Sequence, residues 1–178
     1  FFPIDVAIAL TGVVHFTNNV FKIFLVGKQT DKAVLLRFGI PAIIAAFAGA
    51  WLLMRITALP SLFEYSLWGK SFEVTPVKVI IALILIVFSL FEILPSVQKW
   101  QFGKDKLILG GVLSGFFGGL SGIQGALRSA FLIKSGLSKE AYIATGVVIA
   151  SLVDFTRLSV YASRFAAAHL HENIALLA

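Results

Sequence analysis

The sequence predicts an all-α polytopic membrane protein built of two repeated helical halves, with a discontinuous, glycine-rich helix in the second. Three observations carry that prediction. The first is composition: of 178 residues, 58% are hydrophobic and only 13% charged, against roughly 45–50% and about 25% in an ordinary soluble domain. The second is run length. The apolar residues fall in stretches of about 20, enough to cross a hydrocarbon core of ~30 Å as helix, whereas a β-barrel would show short alternating segments. The third is repetition, since TGVV stands at 11–14 and again at 145–148.

Five apolar segments follow in order. The first, 6–26, ends in the polar turn GKQTDK. The second, 33–54, opens with RFGIPA, where Pro41 is expected to kink or start a helix. Residues 55–76 carry Pro60, Trp68, Gly69 and charges of both signs, and are expected to form an interfacial link with Trp68 at headgroup depth. Segment three, 77–94, is the plainest span and reads as scaffold, with Glu92 an interfacial carboxylate just before Pro95 and Lys99. After the turn QKWQFGKDK comes segment four, 107–133, which is glycine-rich, and then segment five, 141–161.

Carrying the TGVV offset outward pairs Ala7 with Ala141, Thr17 with Ser151 and Phe21 with Phe155, which points to an internal duplication. The expected organisation is a first repeat at 1–58, an interfacial linker at 59–76 and a second repeat at 77–178. The duplication also leads to the expectation that a first span precedes residue 1 and that a last span, beginning near His169, continues past residue 178. No n-region of a signal peptide precedes the first segment.

Polar groups inside such segments are the functional candidates, because a charge at the bilayer centre costs several kcal/mol and faces the bundle interior when it can. Thr11, His15, Asn18 and Lys22 are spaced 4, 3 and 4 apart, with Asn19 adjacent, so a helix places them in one polar stripe expected to face that interior near Gln124. The plainer account of the same residues is interhelical hydrogen bonding by the Asn pair and a Lys22 that snorkels to the surface. In the second copy Asp154 and Arg157 are three apart and can pair on one helix face. Otherwise Asp154 serves as a coupling carboxylate or as the partner of Arg128.

Segment four contains GGLSGIQGALRSAFLIK. Gly111, Gly115 and Gly119, four apart, suit close helix packing. Gly122, Gln124 and Gly125 instead bracket a polar residue with two helix-weakening glycines, predicting a break. Free N–H groups at the N-terminus of the following half-helix favour an anion there. Arg128 adds a charge and a planar set of donors, Ser129 adds a hydroxyl, and Thr145 joins the candidate substrate ligands as the second-copy counterpart of Thr11. A kink held by neighbouring helices is the alternative.

These stretches, GGLSGIQGALRSAFLIKSGLSKEAYIATGVV and IALTGVVHFTNNVFKIFLVGKQTDKAVLLRFGIPAIIAAFAGAW, resemble the TauE/SafE sulfite exporter family over most of the chain. The resemblance implies two helical halves and transport of small anions such as sulfite, sulfoacetate or other sulfonates across a bacterial cytoplasmic membrane. Where the family pattern has a glycine, a generally apolar residue and a proline, this chain has Gln124, Arg128 and Ala130.

The function expected is therefore secondary transport of a small anion, with a cation or proton-coupled transporter or channel as alternative. An enzyme is disfavoured: HExxH and dense carboxylate pairs are missing, and His15 is the one His inside an apolar segment. No cofactor, no metal and no nucleic-acid partner is expected, since the chain has no Cys and its net charge of +6 is scattered among span ends and loops. The partners expected are the small anion and the lipid bilayer, with homo-oligomerisation open. Lys28, Lys32 and Arg37, and then Lys99, Lys104 and Lys106, place both turns on the cytoplasmic side. Beyond Gly122 two branches stay open: a spanning segment four makes the halves parallel repeats, a re-entrant one makes them inverted.

Overall fold

The computed structural model describes residues 4–94 and 102–167, without the side chains of 4, 5, 91, 92 and 163–167. The expectations placed on the Glu92 side chain, Pro95, Lys99 and the span near His169 fall outside what is described. Helix α1, Ile4–Val26, is apolar around most of its girth. It stops at a short 3-10 turn, Gly27–Gln29. Asp31 then caps the next helical stretch by accepting the Val34 N–H at 2.8 Å, which satisfies an amide that has no carbonyl one turn back.

That stretch runs Lys32–Val34, loosens into a π-helical turn at Leu35–Gly39 and continues as α2, Ile40–Thr57. Pro41 thus starts the regular helix just after a wider turn. The π geometry absorbs the missing N–H and the bulk of the ring without interrupting the path.

The segment expected to be an interfacial link contains a β-hairpin, which departs from an all-helical reading. Strands β1, Phe63–Leu67, and β2, Lys70–Val74, pair antiparallel, with Leu67 opposite Lys70 and Phe63 opposite Val74. Trp68 and Gly69 form the two-residue loop, both at positive φ, 50° and 73°, as a primed hairpin turn requires. Phe63, Tyr65, Leu67 and Phe72 share one face and Glu64, Ser66, Ser71 and Glu73 the other.

Helix α3, Pro76–Ile93, follows. Then come α4, Leu107–Ser121, α5, Gly125–Leu132, and α6, Lys139–Ala167. Three stretches among the described residues are long and apolar enough to cross a membrane: Val6–Gln29, Lys32–Thr57 and Lys139–Ala162.

Segment four is not one spanning helix. Helix α5 folds back antiparallel along α4: Ser114 Oγ donates to the Gln124 carbonyl at 3.4 Å, Gly110 abuts Phe131, and the Phe102 N–H donates to the Ala130 carbonyl at 3.1 Å. Phe102 and Phe131 stack with ring centroids 4.3 Å apart. The chain reverses between α4 and α5 in a helical hairpin. As a result α1 and α6 lie antiparallel, Asn19 meeting Asp154, Phe16 meeting Phe155 and Gly12 meeting Arg157.

Helices α2 and α4 run parallel in backbone contact. A Cβ on Gly111, Gly115 or Gly119 would strike the carbonyl oxygen of Phe38, Ala42 or Ala46 respectively, so this stripe of glycines sets the closeness of the pair. The turns carrying Lys28 and Lys32, Lys104 and Lys106, and Lys134 and Lys139 gather at one end of the bundle. There the Asp31 N–H donates to Thr145 Oγ1 at 2.9 Å and Lys104 Nζ sits against Gly136.

The core is divided into two apolar clusters. Near the basic end Phe38, Ala42, Ala46, Leu107, Phe131, Leu132, Ile149 and Val153 pack together. Toward the other end Ala9, Ala50, Leu53, Val77, Ile81, Leu120 and Tyr161 do so. Along α6 the residues between Val153 and Tyr161 bridge the two clusters. They hold a buried polar layer.

Candidate functional site

The layer is built around the reversal between α4 and α5. Gly122 ends α4 in the left-handed region, φ 82°, with its N–H bonded to the Gly118 carbonyl at 2.9 Å. Only glycine enters that region without steric cost. Helix α5 then begins at Gly125, and the Arg128 N–H closes its first turn on the Gln124 carbonyl at 2.9 Å. The N–H groups of that first turn have no helical carbonyl behind them, so the partial positive end of a helix dipole sits at the reversal.

The cation nearest the reversal comes from α6. Arg157 is buried, 1% exposed, and a Cβ on Gly122 would lie 2.5 Å from its Nη1. Gly122 is therefore required twice, for its φ and for the room it leaves the guanidinium. Arg157 is also the reason for Gly12 of α1, where a Cβ would come within 3.2 Å of its Cζ and Nη2.

One edge of the guanidinium is fixed by Asp154, whose Oδ1 accepts from Nε at 3.0 Å and lies 2.9 Å from Nη2. Asp154, itself 2% exposed, has its second oxygen held by Asn19 Nδ2 at 3.2 Å. The i,i+3 ion pair expected from the sequence is present, and both carboxylate oxygens are engaged. The other edge of the guanidinium, Nη1, is buried and has no hydrogen-bond partner among the described residues.

Arg128 approaches from α5. It is half-buried, its Nε 3.7 Å from where a Cβ on Gly146 would stand, and it lies within electrostatic reach of Asp154 and Tyr142. Its Nη1 too is enclosed without a partner among the described residues, as is Oε1 of the buried Gln124. Three unsatisfied buried polar atoms on α5, its N-terminus and the facing helix α6 is a high density, since buried side-chain donors and acceptors are paired almost everywhere.

The structure brings together Gly122, Gln124, Asp154, Arg157 and Asn19, with Arg128 on the side of the basic end, beside Gly146. It does not bring in the rest of the predicted set. Thr11, His15, Asn18 and Lys22 are exposed, so the stripe expected to face the interior faces away from α6. The physical reason is the position of Gly12, Phe16 and Asn19, whose small or fitting side chains form the face that meets α6. Among the described residues nothing covers the opposite face.

Thr11 Oγ1 donates to the Ala7 carbonyl of its own helix. Thr145 stands at the basic end, twelve residues and so about 18 Å along α6 from Arg157, where it accepts the Asp31 N–H. Ser129 is half-buried on α5, and Gly125 is exposed with no atom near its missing Cβ. The sequence reading placed Arg128 at the centre and Arg157 in a neutral pair. The structure gives Arg157 the closer position, a role signalled in the sequence only by the glycines that make room for it.

The family model described as "Sulfite exporter TauE/SafE" matches residues 1–178. No curated protein and no solved structure matches the chain.

Proposed function

The chain belongs to the sulfite exporter TauE/SafE family, and on that premise we propose that it is a secondary transporter of small oxyanions, sulfite and sulfonates such as sulfoacetate among them, which bind at the reversal between Ser121 and Gly125. The family is one of membrane transporters, not of enzymes. The observation that carries the reading is the buried Arg157 guanidinium at Gly122, held along one edge by Asp154 and, among the described residues, unpartnered along the other.

A guanidinium stays charged and offers a planar fork matched to the oxygens of a carboxylate, sulfite or sulfonate. The first turn of α5 adds main-chain N–H groups and a favourable dipole. Arg128 supplies a second cation from the side of Gly146. Asp154 is a positioning residue: with both its oxygens accepting hydrogen bonds, it aims Arg157 instead of offering itself to a cation. That argues against a cation carrier centred on Asp154.

The fifteen residues of α4 span about 22 Å, which puts the reversal deep in a core of ~30 Å. The antiparallel pairing of α1 with α6 and the re-entrant α4–α5 unit support halves of inverted topology, the arrangement in which alternating access exposes one buried site to either side. The basic end is the cytoplasmic one by the excess of Lys at 28, 32, 104, 106, 134 and 139, in a bacterial inner membrane.

The test is sulfite binding to the purified full chain in nanodiscs, by calorimetry. Arg128→Gln is expected to weaken binding by about 2–5 kcal/mol, the range for losing one side of a buried charged contact. Arg157→Lys keeps the charge but not the fork and is expected to lose part of the affinity. Unchanged affinity in both folded variants would overturn the reading.

A further inference from the structure

We propose that the β1–β2 hairpin is a membrane anchor: its aromatic face lies on the lipid of the leaflet opposite the basic end, at headgroup depth, and its acidic face points to water. The inference is independent of the oxyanion site. A two-stranded hairpin is marginally stable by itself and needs a cover for one face. Here the pairing puts Phe63, Tyr65, Leu67 and Phe72 on one face, and Glu64 opposite Glu73 with Ser66 opposite Ser71 on the other. Tyr65 and Phe72 stack with ring centroids 5.3 Å apart. Even so, Phe63 is 60% exposed and Tyr65 46%. The described residues leave that face uncovered.

The turn points the same way. Trp68 stands at φ 50°, a conformation in which a bulky residue is strained and Asn or Gly is at ease. Its side chain is 92% exposed, so packing within the described chain does not offset that strain. Strain of this kind persists where the side chain has a use. For an indole, with an apolar body and one N–H donor, that use is the boundary between hydrocarbon and water.

Position commits the face to lipid. The hairpin has little chain on which to leave the membrane surface: α2, which closes a stretch long enough to span, stops at Thr57, five residues before β1, and Thr75 alone separates β2 from α3. Lys78 Nζ donates to the Glu73 carbonyl at 2.6 Å, fastening β2 to the start of α3. The exposed apolar surface then carries on along α3, where Val79, Leu83, Ile86 and Leu90, spaced 4, 3 and 4, form a stripe. Trp51, half-exposed near the end of α2 with the Arg55 guanidinium 4.9 Å over its ring, adds a second indole at the same end. The backbone limits the depth. Each strand has a free edge whose N–H and C=O groups need water or headgroups, so the hairpin rests at the interface and not in the hydrocarbon.

The chain has no Cys, so single cysteines can be placed at will. Phe63→Cys, Glu64→Cys, Tyr65→Cys, Ser66→Cys, Ser71→Cys, Phe72→Cys and Glu73→Cys are each spin-labelled on the full chain in nanodiscs and read by collision with oxygen, which concentrates in lipid, and with a nickel chelate confined to water. Oxygen is expected to dominate at 63, 65 and 72, and nickel at 64, 66, 71 and 73, an alternation of period two that changes phase between the strands. Nickel dominant on both faces overturns the inference, because the hairpin then stands in water. Low collision with both reagents at 63, 65 and 72 overturns it as well, because protein then covers the face.

A second measurement leaves the aromatic face intact. With Trp51→Phe and Trp100→Phe, the emission of Trp68 is expected to be quenched more by lipids brominated near the headgroup than by lipids brominated near the chain end. Quenching by neither lipid, or stronger quenching from the chain end, overturns the placement at the interface.

Discussion

Two tight reversals of this chain use the same local device for opposite ends. Between α4 and α5 the left-handed residue is Gly122, φ 82°; between β1 and β2 the left-handed residues are Trp68 and Gly69, φ 50° and 73°. At the hairpin a Cβ on Gly69 meets no atom within 4 Å, and Trp68 is 92% exposed. At the helical reversal a Cβ on Gly122 meets Arg157. One glycine is there for the turn alone, the other for the turn and for what the turn holds. Backbone conformation alone does not mark a functional site. The side chain packed into the space left by the missing Cβ does.

The largest expected effect that separates the two comes from Gly122→Ala. The left-handed conformation costs an L-residue roughly 1–2 kcal/mol, and overpacking a filled site adds about 1–3 kcal/mol. The sum is a destabilisation of about 2–5 kcal/mol, measured by thermal or denaturant unfolding of the protein in detergent. Because the new methyl displaces Arg157 from Asp154, sulfite binding in calorimetry is expected to fall as well. Wild-type affinity in the Gly122→Ala variant would put the two reversals on the same footing.

A smaller effect tests whether the buried reversal depends on its surrounding network. Asn19 reaches Asp154 from α1 at 3.2 Å, linking the Asp154–Arg157 pair to the helix that carries the first TGVV. Asn19→Leu removes an interhelical hydrogen bond, worth on average ~0.6 and at most ~1.7 kcal/mol within membranes, so a loss of about 1 kcal/mol in stability is expected. Membrane insertion is expected to improve, since a polar group leaves an apolar helix. Transport of sulfite in proteoliposomes is expected to drop despite that gain. Normal uptake by a correctly inserted Asn19→Leu variant would reduce the contact to packing.

What the sequence made legible follows the same division. Runs of apolar residues located the helices, and glycines at 122 and 125 located the break, because length and backbone permissiveness are local properties. The direction of α5 was not legible. It depends on Phe131 packing against Gly110 and on stacking with Phe102, contacts between residues more than twenty positions apart. The stripe on α1 lies away from α6, and the sequence did not show this because polarity at helical spacing tells that residues share a face, not which face meets a neighbour; Gly12 and Phe16, apolar neighbours, mark the face that meets α6.

Arg157 was seen as half of an ion pair and missed as the cation at the reversal, since nothing local connects it to Gly122. The hairpin was missed for a different reason. The alternation of Phe63, Tyr65 and Leu67 with Glu64 and Ser66 has the period of a strand, but a Trp at the first turn position conceals the primed turn that Asn-Gly or Asp-Gly would have announced.

The smallest expected effect is at that hairpin. Gly69→Ala meets no neighbour, so its cost is the conformational strain of about 1–2 kcal/mol, less the roughly 0.4–1 kcal/mol by which Ala lowers the entropy of the unfolded chain. A net loss of about 0–1.6 kcal/mol remains, and β1 and β2 are nearly all surface, so much of it is confined to fraying of the hairpin itself. Gly69→Asn is expected to cost less still, because Asn tolerates the left-handed region. Amide hydrogen exchange should show faster exchange at 63–74 in the Ala variant, with protection at 107–132 and sulfite affinity unchanged. A loss of affinity from Gly69→Ala would couple the exposed reversal to the buried one, and the contrast between a turn that only turns and a turn that holds a cation would no longer stand.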